Sequence, residues 1–304
     1  ALVQHNLPID EIWRKQNEGE ILSLYREMAH AAWSGRPLPP GRAGESEPPA
    51  AAWSDRPSPA GRAGESERRV AAWSGRPDLI IFPLYTLGGD RLRNPEFFTD
   101  LSRDLGVSIL AATYVPGTPG RPLEEGRFDA AILYGIEGKV LGYHRATQAP
   151  PLRRIAEKTG GDYNLLEMPF GKLGILLCYE DNISGVAASA VRKGAELLVA
   201  LSNPGHFRGT HLPFYHLVQD RLRALENGRW LVRVSPNGYT AVIDPFGRFA
   251  ERSELDRRVV IQAKAGVTRG MTFYHRNGKA MPFAAMILLA LLMVVARRRG
   301  EKLN

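Results

Sequence analysis

Between residues 164 and 245 short apolar runs alternate with amphipathic stretches, and no other feature restricts the fold as tightly. "NLLEMPFGKLGILLCYE" reads as a hairpin that delivers Cys178 to a strand end, and "AELLVALS", "WLVRVS" and "YTAVIDP" read as further strands. Residues 184–193 and 212–227 between them read as helices. Short apolar runs without polar alternation suit strands covered on both faces. The N-terminal part follows the same scheme. Strands are expected over residues 1–6, "DLIIFPL" (78–84) and "VSILAATYV", helices over 11–32 and 95–104. "FDAAILYGIEGKVLGYH" reads as a hairpin turning near Glu137 and Gly138. Mixed strands and helices of this kind predict an α/β protein with both sheet faces covered.

Two segments stand outside the pattern. "AAWSGRPLPPGRAGESE" at 31–47 returns as "AAWSDRPSPAGRAGESE" at 51–67, and "AAWSGRP" opens a third copy at 71. Trp33, Trp53 and Trp73 set a period of 20 residues, but the units lack the apolar positions that a stacked solenoid core needs. Their Pro, Gly, Ser, Arg and Glu content is that of a disordered linker. Removing residues 33–72 leaves "HAAWSGRPDLIIFPLY", a helix end, a turn and a strand, so a tandem duplication inside one surface loop is expected.

The other segment is "AMPFAAMILLALLMVVA", residues 280–296, 17 residues without a charge between Lys279 and Arg297. It sits at the short end of the roughly 17–25 residues that span a bilayer. A buried core helix is the competing reading, although core helices rarely stay apolar on every face. Arg297, Arg298 and Arg299 would place the C-terminus in the cytoplasm and residues 1–278 on the other side. "ALVQHNLPID" carries no signal peptide, so the biological start is expected upstream of Ala1. The expected organisation is one domain over 1–278 interrupted by 33–72, a transmembrane helix over 280–296 and a basic tail over 297–304.

The formal charge is +8, from 40 Lys and Arg against 32 Asp and Glu, and part of the excess sits in the C-terminal cluster. No basic stripe with interleaved aromatics occurs elsewhere, which argues against nucleic-acid binding. Cys178 is the single cysteine, so no intramolecular disulfide can form. A lone cysteine is by default a small buried hydrophobe.

From Pro169 onward the wording becomes specific. "FGKLGILLCYED", "RKGAELLVALSNPGHF", "HLVQDRLRALENGRWLVRVSPNGYTAVIDPFGR" and the final apolar helix occur in one order. Together with "ALVQHNLP" and "RPDLIIFP" they resemble the nitrilase superfamily of carbon–nitrogen hydrolases, and within it the apolipoprotein N-acyltransferase family. The resemblance implies a four-layer αββα sandwich, no cofactor and no metal. It implies a cysteine that takes an acyl chain from a phospholipid as a thioester and passes it to the N-terminal amine of a lipoprotein. It also implies a bacterial inner-membrane location with the main domain on the extracytoplasmic side.

In that family a cysteine, a glutamate and a lysine do the work. Cys178, in "CYED", matches the nucleophile; a thiol needs a base or a lowered pKa, and the oxyanion needs a cation or fixed N–H donors. The glutamate should follow the proline of "IIFPLYTL", where Leu84 stands and can accept no proton. The lysine belongs in a Y-x-K-x-x-L-x-P stretch, here "YHRATQAP". Arg145 fills the slot, or Ala146 if the register shifts by one. Arginine keeps the charge with a different donor geometry. The P-F-G-E that should follow reads "PPLRRIAEK", with Glu157 a loose substitute. Glu180, two residues after Cys178, matches the family's acid and either shares the work of the thiol or organises its turn by hydrogen bonds. His206 offers another base. His206, His211 and His216 are spaced by five, which is no zinc pattern. Glu226 reads as helix packing. Three readings stay open: an N-acyltransferase, a catalytically dead homologue that binds lipid or lipoprotein, and a hydrolase of small amides.

Overall fold

The computed structural model describes residues 1–4, 18–36, 38, 75–84, 96–116, 127–148, 163–204, 207, 209–278 and 280–300. The N-terminal half runs β1 (Leu2–Gln4), α1 (Glu18–Ser34), β2 (Leu79–Leu84), α2 (Phe97–Leu105), β3 (Ser108–Pro116), β4 (Arg127–Tyr134) and β5 (Val140–Arg145). The C-terminal half runs β6 (Leu166–Met168), β7 (Gly171–Leu177), a 3₁₀ turn (Cys178–Asn182), α3 (Ser184–Arg192), β8 (Leu197–Leu201), α4 (Leu212–Asn227), β9 (Leu231–Val234), β10 (Ala241–Ile243), β11 (Phe249–Arg252) and β12 (Val259–Ile261). Two helices follow the sandwich, the short α5 (Phe273–Asn277) and the 20-residue α6 (Met281–Gly300).

Two six-stranded sheets result, ordered β12-β1-β2-β3-β4-β5 and β11-β10-β9-β8-β7-β6. Strands β7, β8 and β9 are parallel, as helical crossovers by α3 and α4 demand. The apolar side chains sort by strand parity into three cores. Leu84, Leu110, Leu133, Ile175, Leu177, Val199, Val232 and their neighbours fill the space between the sheets. Met28, Phe82, Phe98, Leu101 and Ile109 pack α1 and α2 on the first sheet. Leu176, Ala187, Ala190, Leu198, Leu217 and Leu231 pack α3 and α4 on the second. Three apolar layers between helices, sheet, sheet and helices make the expected four-layer αββα sandwich. Gly174 shows how close α3 comes: a Cβ there would lie 2.8 Å from that of Ala195 and 3.0 Å from that of Ala190.

Two strands were not foreseen, β11 and β12. Strand β12 pairs antiparallel with β1, so the last strand of the sandwich returns to the first to complete the first sheet. Of the loop expected over 33–72, only residues 33–36 and 38 are among those described, and the rest lies outside them.

The expected transmembrane helix is not found. Among the described residues no helix is long and apolar enough to cross a membrane. The 17 uncharged residues 280–296 would extend about 25 Å as a helix, against roughly 30 Å of hydrocarbon core. What forms instead is α6, with apolar side chains exposed on every side: Phe283 is 62% exposed, Ile287 62% and Leu291 58%.

Candidate active site

Parallel strand β7 ends at Leu177, and the next residue, Cys178, adopts φ +53°. Left-handed backbone is uncommon for a residue with a Cβ and persists where neighbours over-determine it. The neighbours here are specific. The Glu180 carboxylate reaches back over the turn, and its Oε2 accepts the Leu177 N–H at 2.8 Å. Its Oε1 accepts the Thr147 N–H at 2.6 Å and the Thr147 hydroxyl at 2.7 Å. Glu180 is fully buried. It therefore stitches the loop after β5, on the first sheet, to the cysteine turn on the second.

Beneath the turn lies a second polar cluster. Asp181 Oδ2 accepts from His216 Nδ1 at 2.8 Å and from Arg233 Nη1 at 3.1 Å. Arg233 is fully buried and also donates to Asp220 at 2.5 Å, to the Ser202 hydroxyl and to the Tyr239 carbonyl. Burial pushes the Asp220 carboxyl up to about 7, with Arg233 opposing and Asp181 adding to the rise. Burial also works against the Arg233 charge, yet Asp220 and Asp181 hold its ionisation above the usual range.

The first sheet contributes something different. Leu84 is fully buried, Ala146 nearly so, and both belong to the core between the sheets against which Cys178 packs. In β5, Ala131 of β4 pairs with His144 and Ala130 with Arg145. Ala131 lies in the inter-sheet core, so by alternation His144 and Ala146 face inward and Arg145 takes the outer face. There its guanidinium stands 5.2 Å from the ring centroid of Tyr143. The side chains at the glutamate and lysine slots that share the cysteine's layer are thus Leu84 and Ala146, both apolar. Cys178 and Glu180 share one turn, and strand alternation puts Arg145 on the other face of β5 from Ala146.

The remaining candidates have other partners or lie elsewhere. His216 is engaged with Asp181, His211 is exposed at the start of α4, and Glu226 pairs with Arg223 within α4. Glu157 and His206 lie outside the described residues. Among the described residues no group of three or more His, Cys, Asp or Glu is placed to hold a metal ion. Sequence reading missed His144, Thr147, Asp181, Asp220 and Arg233. His144 carried a signal, since it is inward by strand parity with Ala146. The Asp181–Arg233 contact joins residues 52 apart and leaves no local pattern.

A strand-end cysteine sits on a braced turn between two stacked sheets, and comparison with known proteins gives this arrangement a family. Residues 93–265 match the carbon-nitrogen hydrolase family, and the chain belongs to it. Among curated relatives, apolipoprotein N-acyltransferase of Azotobacter vinelandii is 37% identical over 141 residues, 46% of this chain and 27% of that protein. The Thermotoga maritima enzyme of the same name is 30% identical over 140 residues, again 46% of this chain and 27% of the other. The matched region spans about a quarter of the length of these relatives. Among solved structures, a cysteine-to-alanine variant of the Nesterenkonia AN1 amidase, from the nitrilase superfamily, has a TM-score of 0.55 at 18% identity, covering 84% of this chain and 85% of that one. A carbon-nitrogen hydrolase from Helicobacter pylori gives 0.52 at 17%, covering 60% and 75%.

Proposed function

We propose that this chain is the catalytic-type domain of an apolipoprotein N-acyltransferase-like protein whose nucleophile, Cys178, is intact and whose proton-transfer and oxyanion partners have been lost. In the intact reaction the thiolate adds to a phospholipid ester carbonyl. The tetrahedral oxyanion then collapses, the acyl C–O bond breaks, and the departing alcohol takes up a proton. The thioester next passes its acyl group to the amine of a lipoprotein and regenerates the thiol. The observation that carries the reading is the contrast around Cys178: a positive-φ turn fully braced by Glu180, with Leu84 and Ala146 in the layer it faces. A free thiol with a pKa near 8.5 is only a few per cent thiolate at neutral pH. General-base help is worth about 10²–10⁴-fold, so the unmodified chain should acylate slowly. Slow does not mean inert. A glutamate-to-leucine variant of the Nesterenkonia amidase is described with the acetamide moiety of fluoroacetamide bound covalently at its active-site cysteine.

Intact mass spectrometry with phospholipid supplied tests this. The Leu84→Glu/Ala146→Lys variant should gain thioester at Cys178 about 10²–10⁴-fold faster than the unmodified chain. Leu84→Glu/Arg145→Lys should gain less, because it restores the base while position 145, on the outer strand face, brings no cation to the oxyanion. Rapid acylation of the unmodified chain would overturn the loss of partners. A non-turnover lipid- or lipoprotein-binding role is the second reading, favoured by the same apolar slots.

The reading includes attachment to a bacterial inner membrane through the exposed apolar surface of α6. Its support is the charge-free run 280–296 and the exposure of α6 on all sides. Detergent-phase partitioning of the full chain, lost on deletion of residues 280–296, is the expected result.

A further inference from the structure

The buried titratable group that the proposed chemistry leaves unused is His144. It is fully buried on the inward face of β5, its ring centroid 4.3 Å from that of Tyr163. Nδ1 lies 2.9 Å from the carbonyl oxygen of Asn164. Nε2 has no hydrogen-bond partner and faces Glu180 Oε2 at 3.8 Å.

Donor and acceptor rules fix one proton at once. A carbonyl only accepts, so Nδ1 carries hydrogen. In the neutral ring Nε2 then presents a bare lone pair to a carboxylate oxygen, which also only accepts. That contact is repulsive. A second proton on Nε2 makes it attractive, and a buried carboxylate is stable only when paired or fully bonded.

We propose that His144 is a positioning residue for Cys178: with a proton on Nε2 it offsets the Glu180 charge beneath the cysteine turn and so leaves the thiol free to ionise. The inference rests on Cys178 being the nucleophile. An uncompensated Glu180 would oppose a second anion at the sulfur, because like charges in a low-dielectric interior disfavour one another. Other titratable groups border the ring. Tyr163, from the segment before β6, donates its hydroxyl to the Ile175 carbonyl, and burial, with Glu180 adding, pushes its ionisation up. Asp129 of β4 shares the strand face of Ala131 and is buried. Arg145 is on the opposite face.

Because Cys178 is the only cysteine, alkylation of the full chain in detergent micelles reports on this one sulfur. Iodoacetamide would be added from pH 5.5 to 9 and adducts counted by intact mass; the sulfur–carbon bond forms as iodide leaves. His144→Asn keeps a donor toward Asn164 but has no group at Nε2. It should slow alkylation at pH 7 about tenfold, the effect of a one-unit upward displacement of the thiol titration. His144→Gln, whose longer amide reaches toward Glu180, should recover most of that rate. In a Glu180→Gln background the His144→Asn substitution should lose its effect. A structural role alone would lower melting temperatures without moving the pH profile. Unchanged rates and profiles in both His144 variants would overturn the inference and leave the nucleophile standing. An unmodified Cys178 that reacts only after unfolding would sink both together. Should the variants fail to fold, ¹⁵N-histidine spectra of the unmodified chain decide: a buried ring protonated on both nitrogens at pH 7 is expected, and its absence refutes the proposal.

Discussion

The two sheets meet at Cys178 on unequal terms. The second sheet supplies a strained cysteine turn, a carboxylate folded back beneath it, and a buried Asp–Arg–Asp–His cluster in which nearly every charge has a partner. The first sheet supplies Leu84 and Ala146, side chains that do nothing but fill space. A thiol needs both kinds of support, one to hold it in place and one to move its proton. On the proposed reading, placement has been kept and proton transfer has not.

The largest effect should come from the second sheet. Arg233→Met leaves Asp181 and Asp220 buried without their shared cation, and removal of one partner from a buried pair costs about 3–5 kcal/mol. Urea denaturation should show that loss; a change under about 1 kcal/mol would mean the cluster contributes little. Next comes a pH dependence. The Asp220 carboxyl, held up to about 7 by burial, keeps its proton in the folded chain where the unfolded chain has lost it. Its contribution is therefore full below about pH 4 and is lost as the pH rises to about 7. Relative to Asp220→Asn, the unmodified chain should lose stability across that window and no further above it. A gain in the unmodified chain's stability relative to Asp220→Asn as the pH rises would reverse the sign and break the argument. The smallest effect belongs to the first sheet. Leu84→Met conserves volume and should cost less than about 1.5 kcal/mol, with alkylation of Cys178 unchanged. A large change in thiol reactivity would show that Leu84 shapes the site more than a filler can.

Much of the sandwich was legible because strand parity and helix periodicity are local. The runs at 79–84, 171–177 and 197–201 are apolar almost throughout, as strands covered on both faces must be. Strand β11, with alternating half-buried and exposed residues, and three-residue β12 carry too little pattern to stand out. The site divided along the same line. Cys178 and Glu180 are neighbours on a recognisable turn, whereas which side of β5 meets them depends on pairing with β4. That is why Arg145 matched by spacing while Ala146 and His144 are the residues that face inward. The length of an apolar run likewise says how far a helix could reach, not what will surround it.

The bonds from Thr147 to Glu180 carry one more consequence. Thr147 lies just past β5, an edge strand, where backbone groups would ordinarily trade their hydrogens with solvent in seconds to minutes. Its amide is instead committed to a buried carboxylate on the other sheet. Deuterium can enter there only when the Thr147–Glu180 bond opens, so the exchange of a single loop amide times the opening of that one link between the sheets.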